Sequence, residues 1–376
     1  MRASASKWTA RLFIVAGVVL VAAAASAQMV PQQMVPQQMV PQQMMPPGPG
    51  MPQYGACMPP QYPGACMPNG PCMGPECGAP MGDYCGGDGC CQPPRWTFTA
   101  DILALQRSTT RSQALFQNAS GGDDLNSKYL NFPAEAGFQV AAIRHGDCGW
   151  DVEVGYFQID GWEARAAGTG ATFLVTDANL SNLSITDPQA RYTSEFHIGE
   201  INVRRQAWDW LTLLAGFRMG EYNERYSAFG IDAFTPDTLS MYSNTFNHLY
   251  GFQIGADAEV FNLGGPLRIN ALCKAGIYGN WASQTINQTI PPSQIDQTLS
   301  SDRCHTAFMG EAGLVATYQV TCHLAVRASY QAVWLEGVAL APEQIGATDF
   351  LGGTANIDTT GGVFYHGGGL GLELKF

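Results

Sequence analysis

Charged residues recur at alternate positions within otherwise apolar stretches of this chain, a spacing that puts them on one side of an extended strand. The acids are Asp101, Asp151, Glu153, Glu195, Asp257, Glu259, Glu311 and Glu373, and the bases are Arg204, Arg218, Arg268, Lys274, Arg327 and Lys375. Gathered inside a ring of strands, such charges must pair and be hydrogen-bonded, because a lone charge in a narrow lumen is costly. They would form either a polar plug that braces the wall or the lining of a narrow, ion-sized pore.

The other reactive side chains are scattered. Alternation puts His197 and His305 inward and His248 and His366 on the lipid phase, while His145 and His323 fall at turns. A catalytic dyad needs a serine or an acid within hydrogen-bond reach of an imidazole. His305, with Ser301 and Asp302 beside it, is where an outer-membrane hydrolase with its site at the extracellular rim would be built. Loop serines and aspartates are commonplace, so no catalytic residue is assigned and the hydrolase stands as the alternative function. The glycine runs at Gly361-Gly362 and Gly367 to Gly369 bracket a strand and open no helix. They exclude a phosphate-binding loop, and no cofactor is expected.

Seven of the 11 cysteines, Cys57, Cys66, Cys72, Cys77, Cys85, Cys90 and Cys91, precede the strand-like region. Their gaps are not those of zinc knuckles, so disulfides are expected and a metal site is not. The odd number leaves a thiol for a disulfide-linked envelope partner or for Cys148, Cys273, Cys304 or Cys322.

The elements that position these residues are strands. At the end of the chain Leu370, Leu372, Leu374 and Phe376 fall on one face and Gly371, Glu373 and Lys375 on the other. This ribbon suits a strand with one face in lipid and one in a lumen, ending on the aromatic by which the barrel-assembly machinery would recognise it. Nine further segments share the period, so the expected strands are 96–105, 137–144, 150–159, 193–206, 211–223, 246–261, 267–280, 304–320, 323–335 and 363–376. In the fourth, the apolar phase jumps between Ile198 and Ile201, which reads as a bulge. Trp150, Trp208, Trp210, Trp281 and Trp334 fall near strand ends, where aromatic girdles sit.

The connections alternate long and short, as outer loops and periplasmic turns do in outer-membrane barrels. The expected fold is therefore all-β: a transmembrane antiparallel up-and-down barrel of about ten strands over residues 95–376. A soluble β-sandwich, the structural rival, gives no reason for this alternation or for the terminal aromatic.

Residues 1–27 read as a signal peptide: Arg2, Lys7 and Arg11, an apolar run from Leu12 to Ala25, and the small-residue site Ala25-Ser26-Ala27. Residues 28–94 form a Pro/Gly/Met/Cys-rich periplasmic arm with three Met-Val-Pro-Gln-Gln repeats, a composition that cannot build a core. Across the chain 46% of residues are hydrophobic and 13% charged, a pairing explained if lipid replaces the charged shell of a soluble domain. The net charge of −12 excludes nucleic acid as a partner for want of a basic face.

The segments Phe246-Asn-His-Leu-Tyr-Gly-Phe-Gln-Ile-Gly255, Lys274-Ala-Gly-Ile-Tyr-Gly-Asn280 and Trp334-Leu-Glu-Gly-Val-Ala-Leu-Ala-Pro-Glu-Gln344, with Gly216-Phe-Arg218 before them, resemble the BBP7 (beta barrel porin 7) family of planctomycete outer-membrane β-barrel proteins. The resemblance runs from about Trp96 to Phe376. It implies an outer-membrane barrel, porin-like in name, and brings no catalytic residues.

Overall fold

The computed structural model describes residues 94–376 except 110, 113, 119, 147–148, 169–171, 175–183, 236, 291–294 and 351. The expected signal peptide, the arm up to residue 93 with its seven cysteines, and Cys148 lie outside the described residues.

Ten long strands close into a ring: β1 (Trp96–Arg107), β2 (Glu135–His145), β3 (Trp150–Ala167), β4 (Ile185–Trp208), β5 (Leu211–Asp232), β6 (Thr238–Asn262), β7 (Leu267–Ile290), β8 (Ile295–Gln319), β9 (Leu324–Val338) and β10 (Gly361–Lys375). Each pairs antiparallel with its neighbour in sequence, except that β1 also pairs with β10 and so closes the ring. At that seam the Phe376 carbonyl accepts from the Trp96 amide at 2.9 Å, and the Phe376 amide donates to the Trp96 carbonyl at 2.9 Å. Through the apolar belt the closed ring leaves no free edge, which is what a sheet surrounded by lipid requires.

The expected strands are found, but several run further outward. β6 and β8 have 25 residues and β4 and β7 have 24, more than twice the ~9–11 that span a bilayer. Two connections expected to be long, 224–245 and 281–303, are therefore mostly strand, since β5 ends at Asp232 with β6 starting at Thr238 and β7 ends at Ile290 with β8 starting at Ile295.

The extensions reverse the barrel's polarity. In the lower part the exterior is apolar, with Ile102, Val154, Ile201, Leu213, Phe252, Ile254, Ile277, Leu314, Leu370 and Leu372 all exposed. In the upper part the exterior of β3 to β5 carries Glu163, Arg165, Arg191, Arg225 and Ser227, while Trp162, Tyr192, Phe196, Tyr222 and Tyr226 are buried inside.

This reversal corrects the expected bulge in β4. Pairing runs without a shift from Phe157↔Ile198 to Val154↔Ile201, and from Ile198↔Gly220 to Ile201↔Phe217. Ile198 is buried inside the apolar upper lumen and Ile201 is 50% exposed on the lower exterior. The apolar phase changes because the core changes sides; the strand inserts no residue.

Candidate functional site

Strand alternation on a closed ring brings the inward charges together in the lower lumen. Arg218 of β5 donates from Nη2 to Glu200 of β4 at 2.5 Å and to Glu311 of β8 at 2.8 Å. Lys274 of β7 reaches Glu200 at 2.5 Å, and Gln253 donates to Glu200 at 3.0 Å and to Asn202 at 2.7 Å. Below them Arg204 pairs with Glu153 and, at 2.7 Å, with Asp257, whose other oxygen accepts from Asn270 at 2.7 Å. A second network surrounds Glu373, with Arg327 at 3.3 Å, Lys375 at 3.3 Å and Arg268 at 3.5 Å. Arg327 also meets Asp101 at 3.2 Å.

Many of these bonds are chords across the ring. Arg218 to Glu311 and Lys274 to Glu200 each join strands three apart in ring order. The cavity enclosed among Glu200, Arg218, Lys274, Glu311 and Gln331 measures about 20 Å³, room for about one water molecule.

The upper lumen is filled differently. Arg107 of β1, buried, meets the equally buried Glu224 of β5 at 2.5 Å, four strands away around the ring. Its guanidinium lies 4.4 Å from the Phe132 ring centre and 4.8 Å from that of Tyr192. Glu224 also accepts from Tyr192 at 2.6 Å, from Tyr222, and from the Ala341 amide at 2.8 Å.

That last bond belongs to the β9–β10 connection, which folds into the barrel's mouth. Ala339, Leu340 and Ala341 are fully buried, and side chains of the wall satisfy this backbone, as a buried loop demands. Asn247 donates to the Ala339 carbonyl at 3.0 Å and accepts from its amide at 2.8 Å. Ser243 donates to the Ala341 carbonyl at 2.8 Å, Asn280 to that of Gly337 at 3.0 Å, and Gln284 to that of Asn356 at 2.7 Å. In the short helix Glu343–Ala347, Glu343 is 9% exposed and its carboxyl has no side-chain hydrogen-bond partner. Burial pushes its pKa up to about 7; Arg111 opposes the shift, and Asp358 and Glu224 reinforce it.

Of the charges expected inside, all take the inward phase except Glu195. Asp151 lies 3.1 Å from His145 at the short-turn rim, and Glu259 accepts from Asn262 at 3.0 Å. Glu195 and His197 point outward, because without a bulge the alternation runs through Phe196 and Ile198 to Glu200. Glu200, at the centre of the lower network, was hidden by the same misreading, although its spacing from Arg204 is even. Arg107 and Glu224 lay beyond the expected strand ends. The C-terminal Leu370, Leu372, Leu374 and Phe376 face outward and are exposed. Trp150, Trp208 and Trp281 are exposed, and the Trp334 indole lies across Gly310, where a Cβ would come within 2.1 Å of it.

Among the described residues His305 makes no hydrogen bond to a serine or an acid. At the same rim Thr97 Oγ1 lies 2.8 Å from His145 Nε2, and His145 Nδ1 lies 3.1 Å from Asp151. This resembles a catalytic relay, but Thr97 is 6% exposed and sits in a strand paired on both sides, so the neighbouring amides are spent on the ladders and unavailable to an oxyanion. Cys322 is disulfide-bonded, and Cys273 and Cys304 are free thiols.

A closed antiparallel ring with an apolar exterior belt and a polar lower lumen defines an outer-membrane β-barrel. No protein-family model and no curated protein matches the sequence. Among solved structures, the chain is similar to the outer membrane protease OmpT from Escherichia coli at 11% identity, covering 76% of this chain and 98% of that one, with a TM-score of 0.41. It is also similar to the translocator domain of the autotransporter NalP from Neisseria meningitidis (10% identity, 76% and 90% covered, TM-score 0.36) and to the toluene transporter TodX of P. putida (10%, 76% and 91%, 0.30).

Proposed function

We propose that this protein is a structural component of the outer membrane whose lumen is closed by its own side chains. The observation that carries this reading is the Arg107–Glu224 pair, which ties nearly opposite walls together beneath a buried loop. The lower chords add a second closure, and ten strands lie near the size at which side chains fill a barrel. In this reading its partners are membrane lipid around the belt, the assembly machinery at β10, and envelope proteins reached through cysteines of the arm. The resemblance to the BBP7 family agrees with a barrel of this kind, and no enzymatic activity is assigned.

A narrow channel is the second reading, favoured by the concentration of charge below the loop. Planar-bilayer conductance of the purified protein decides between them. The structural reading expects no steady current from the wild type and the appearance of one when residues 339–357 are replaced by a short Gly/Ser linker. A steady, ion-selective wild-type current would replace it with the channel.

A further inference from the structure

The outward turn of Glu195 and His197 creates a constellation on the barrel's exterior that the lumen does not use. Both project from β4, and they meet Asp160 of β3 just where exterior polarity reverses. Asp160 keeps the outward phase of Tyr156 and Gln158. Just beyond it β3 is irregular: pairing passes from Ile159↔Phe196 to Trp162↔Ser194, so Asp160 and Gly161 together oppose Glu195. Gly161 has a φ of +87°, a conformation that favours glycine, and the extra residue turns Trp162 into the lumen while leaving Asp160 outside beside Glu195.

We propose that Asp160, Glu195 and His197 form a binding site for a divalent transition-metal cation of the Zn²⁺ class. Their ligand atoms all lie within 4.8 Å of one another. His197 Nε2 is 2.7 Å from Asp160 Oδ1. The other ring nitrogen bears on what can lie between these two atoms. Tyr156 Oη is 3.1 Å from His197 Nδ1 and donates its single proton to Gln158 Oε1 at 3.0 Å. Gln158 is oriented in turn by donating its amide to Asp160. With the hydroxyl donating to Gln158, Tyr156 accepts from His197 Nδ1–H and Nε2 turns its lone pair toward Asp160, the tautomer a metal needs; in the other tautomer Nε2–H donates to Asp160. Either a proton or a metal ion between Nε2 and Oδ1 accounts for their 2.7 Å approach.

Charge favours the metal. A proton offsets one carboxylate, yet Glu195 has no cationic partner among the described residues, and Glu221 stands directly opposite His197 in the ladder. A divalent ion with a neutral imidazole balances Asp160 and Glu195 together. The mixed nitrogen and oxygen donors suit Zn²⁺, whereas Ca²⁺ and Mg²⁺ take shells of oxygen. Tyr156 plays the part of an outer partner that fixes the tautomer of a ligating histidine. Three protein ligands leave a fourth position open to the solvent or to a headgroup phosphate.

The test is calorimetric titration of the full-length oxidised protein in detergent with ZnCl₂, alongside His197→Ala and His305→Ala. Comparison between variants separates the site from metal held by cysteines, which all three share. Wild type and His305→Ala should bind about one equivalent more than His197→Ala, and Tyr156→Phe should retain that equivalent with affinity weakened about tenfold. Equal zinc binding by wild type and His197→Ala would overturn the site, and full displacement by equimolar Ca²⁺ would overturn its class. Should His197→Ala lose the heat-modifiable mobility of a folded barrel, Glu195→Gln supplies the same comparison.

Discussion

The lower and upper parts of this barrel are built from the same strands on opposite plans. Below, Arg204, Arg218, Lys274 and their acids fill the inside while Ile201, Phe252 and Leu372 face outward. Above, Trp162, Tyr192, Phe196 and Tyr226 form an apolar interior while Glu163, Arg165 and Arg191 face outward and pair. A membrane barrel therefore continues upward as a water-soluble one. What decides which side of a strand is apolar is the medium outside it, since lipid tolerates no charge and water rewards none of the exposed hydrocarbon.

The contrast can be broken most severely inside the upper part. Replacing Arg107 with Met would leave the Glu224 charge buried, costing roughly 3–5 kcal/mol, while the double variant Arg107→Met/Glu224→Gln should recover much of the loss. Urea titration read by mobility on unboiled gels would measure both, and a double variant no better than the single one would show that the pair is not coupled.

On the exterior, Leu372→Arg should destabilise by about 2–4 kcal/mol if near the bilayer midplane. Thr193→Arg, on the outward face of upper β4, should stay within about 0.5 kcal/mol, as surface changes do. Equal sensitivity at the two positions would place both in lipid and abolish the distinction. In the lower lumen, Arg218→Gln leaves Glu200 its Lys274 partner and exposes Glu311 to a site with room for water. A loss of roughly 1–3 kcal/mol is expected there, smaller than for Arg107.

The smallest effect is a pH dependence of the loop. Glu343 has a folded-state pKa raised from its ordinary 4.5 to about 7, so the folded state holds the proton more tightly. Its stabilising contribution is complete below about pH 4.5 and falls away as pH rises through 7. Protease sensitivity of residues 339–357 should rise over that window in the wild type and stay flat in Glu343→Gln.

Where the sequence is read under the membrane plan, it predicts the structure closely. Strand starts and turns on the short-turn side, such as those at Trp150, Leu211 and Leu267, agree with the expected boundaries, because one alternation governs that whole region. Errors begin at the reversal. The expected outer limits at 193, 223, 246, 280 and 304 were anchored in the apolar exterior, whereas β4 begins at Ile185, β5 continues to Asp232, β6 begins at Thr238, β7 continues to Ile290 and β8 begins at Ile295, with the pattern inverted. Ile198 and Ile201 are both apolar and three residues apart, which one strand with a single apolar face cannot accommodate. A bulge and a change of surroundings explain them equally well on paper, and only the pairing of β4 with β3 and β5 separates the two. The Arg107–Glu224 pair was illegible for a further reason: residues 117 positions apart meet only once the ring has closed.

The closing seam between β1 and β10 has its own consequence, since a closed ring has no topological first strand. Cutting the chain at residues 263–266 and linking the old ends would preserve each ladder, while moving the aromatic-terminated strand into the middle of the polypeptide. Such a permuted gene uncouples two things that the natural order keeps together. The energetics of closure would be unchanged; if the terminal aromatic is the address that the assembly machinery reads, as the sequence reading expects, refolding in detergent and insertion in cells would part company.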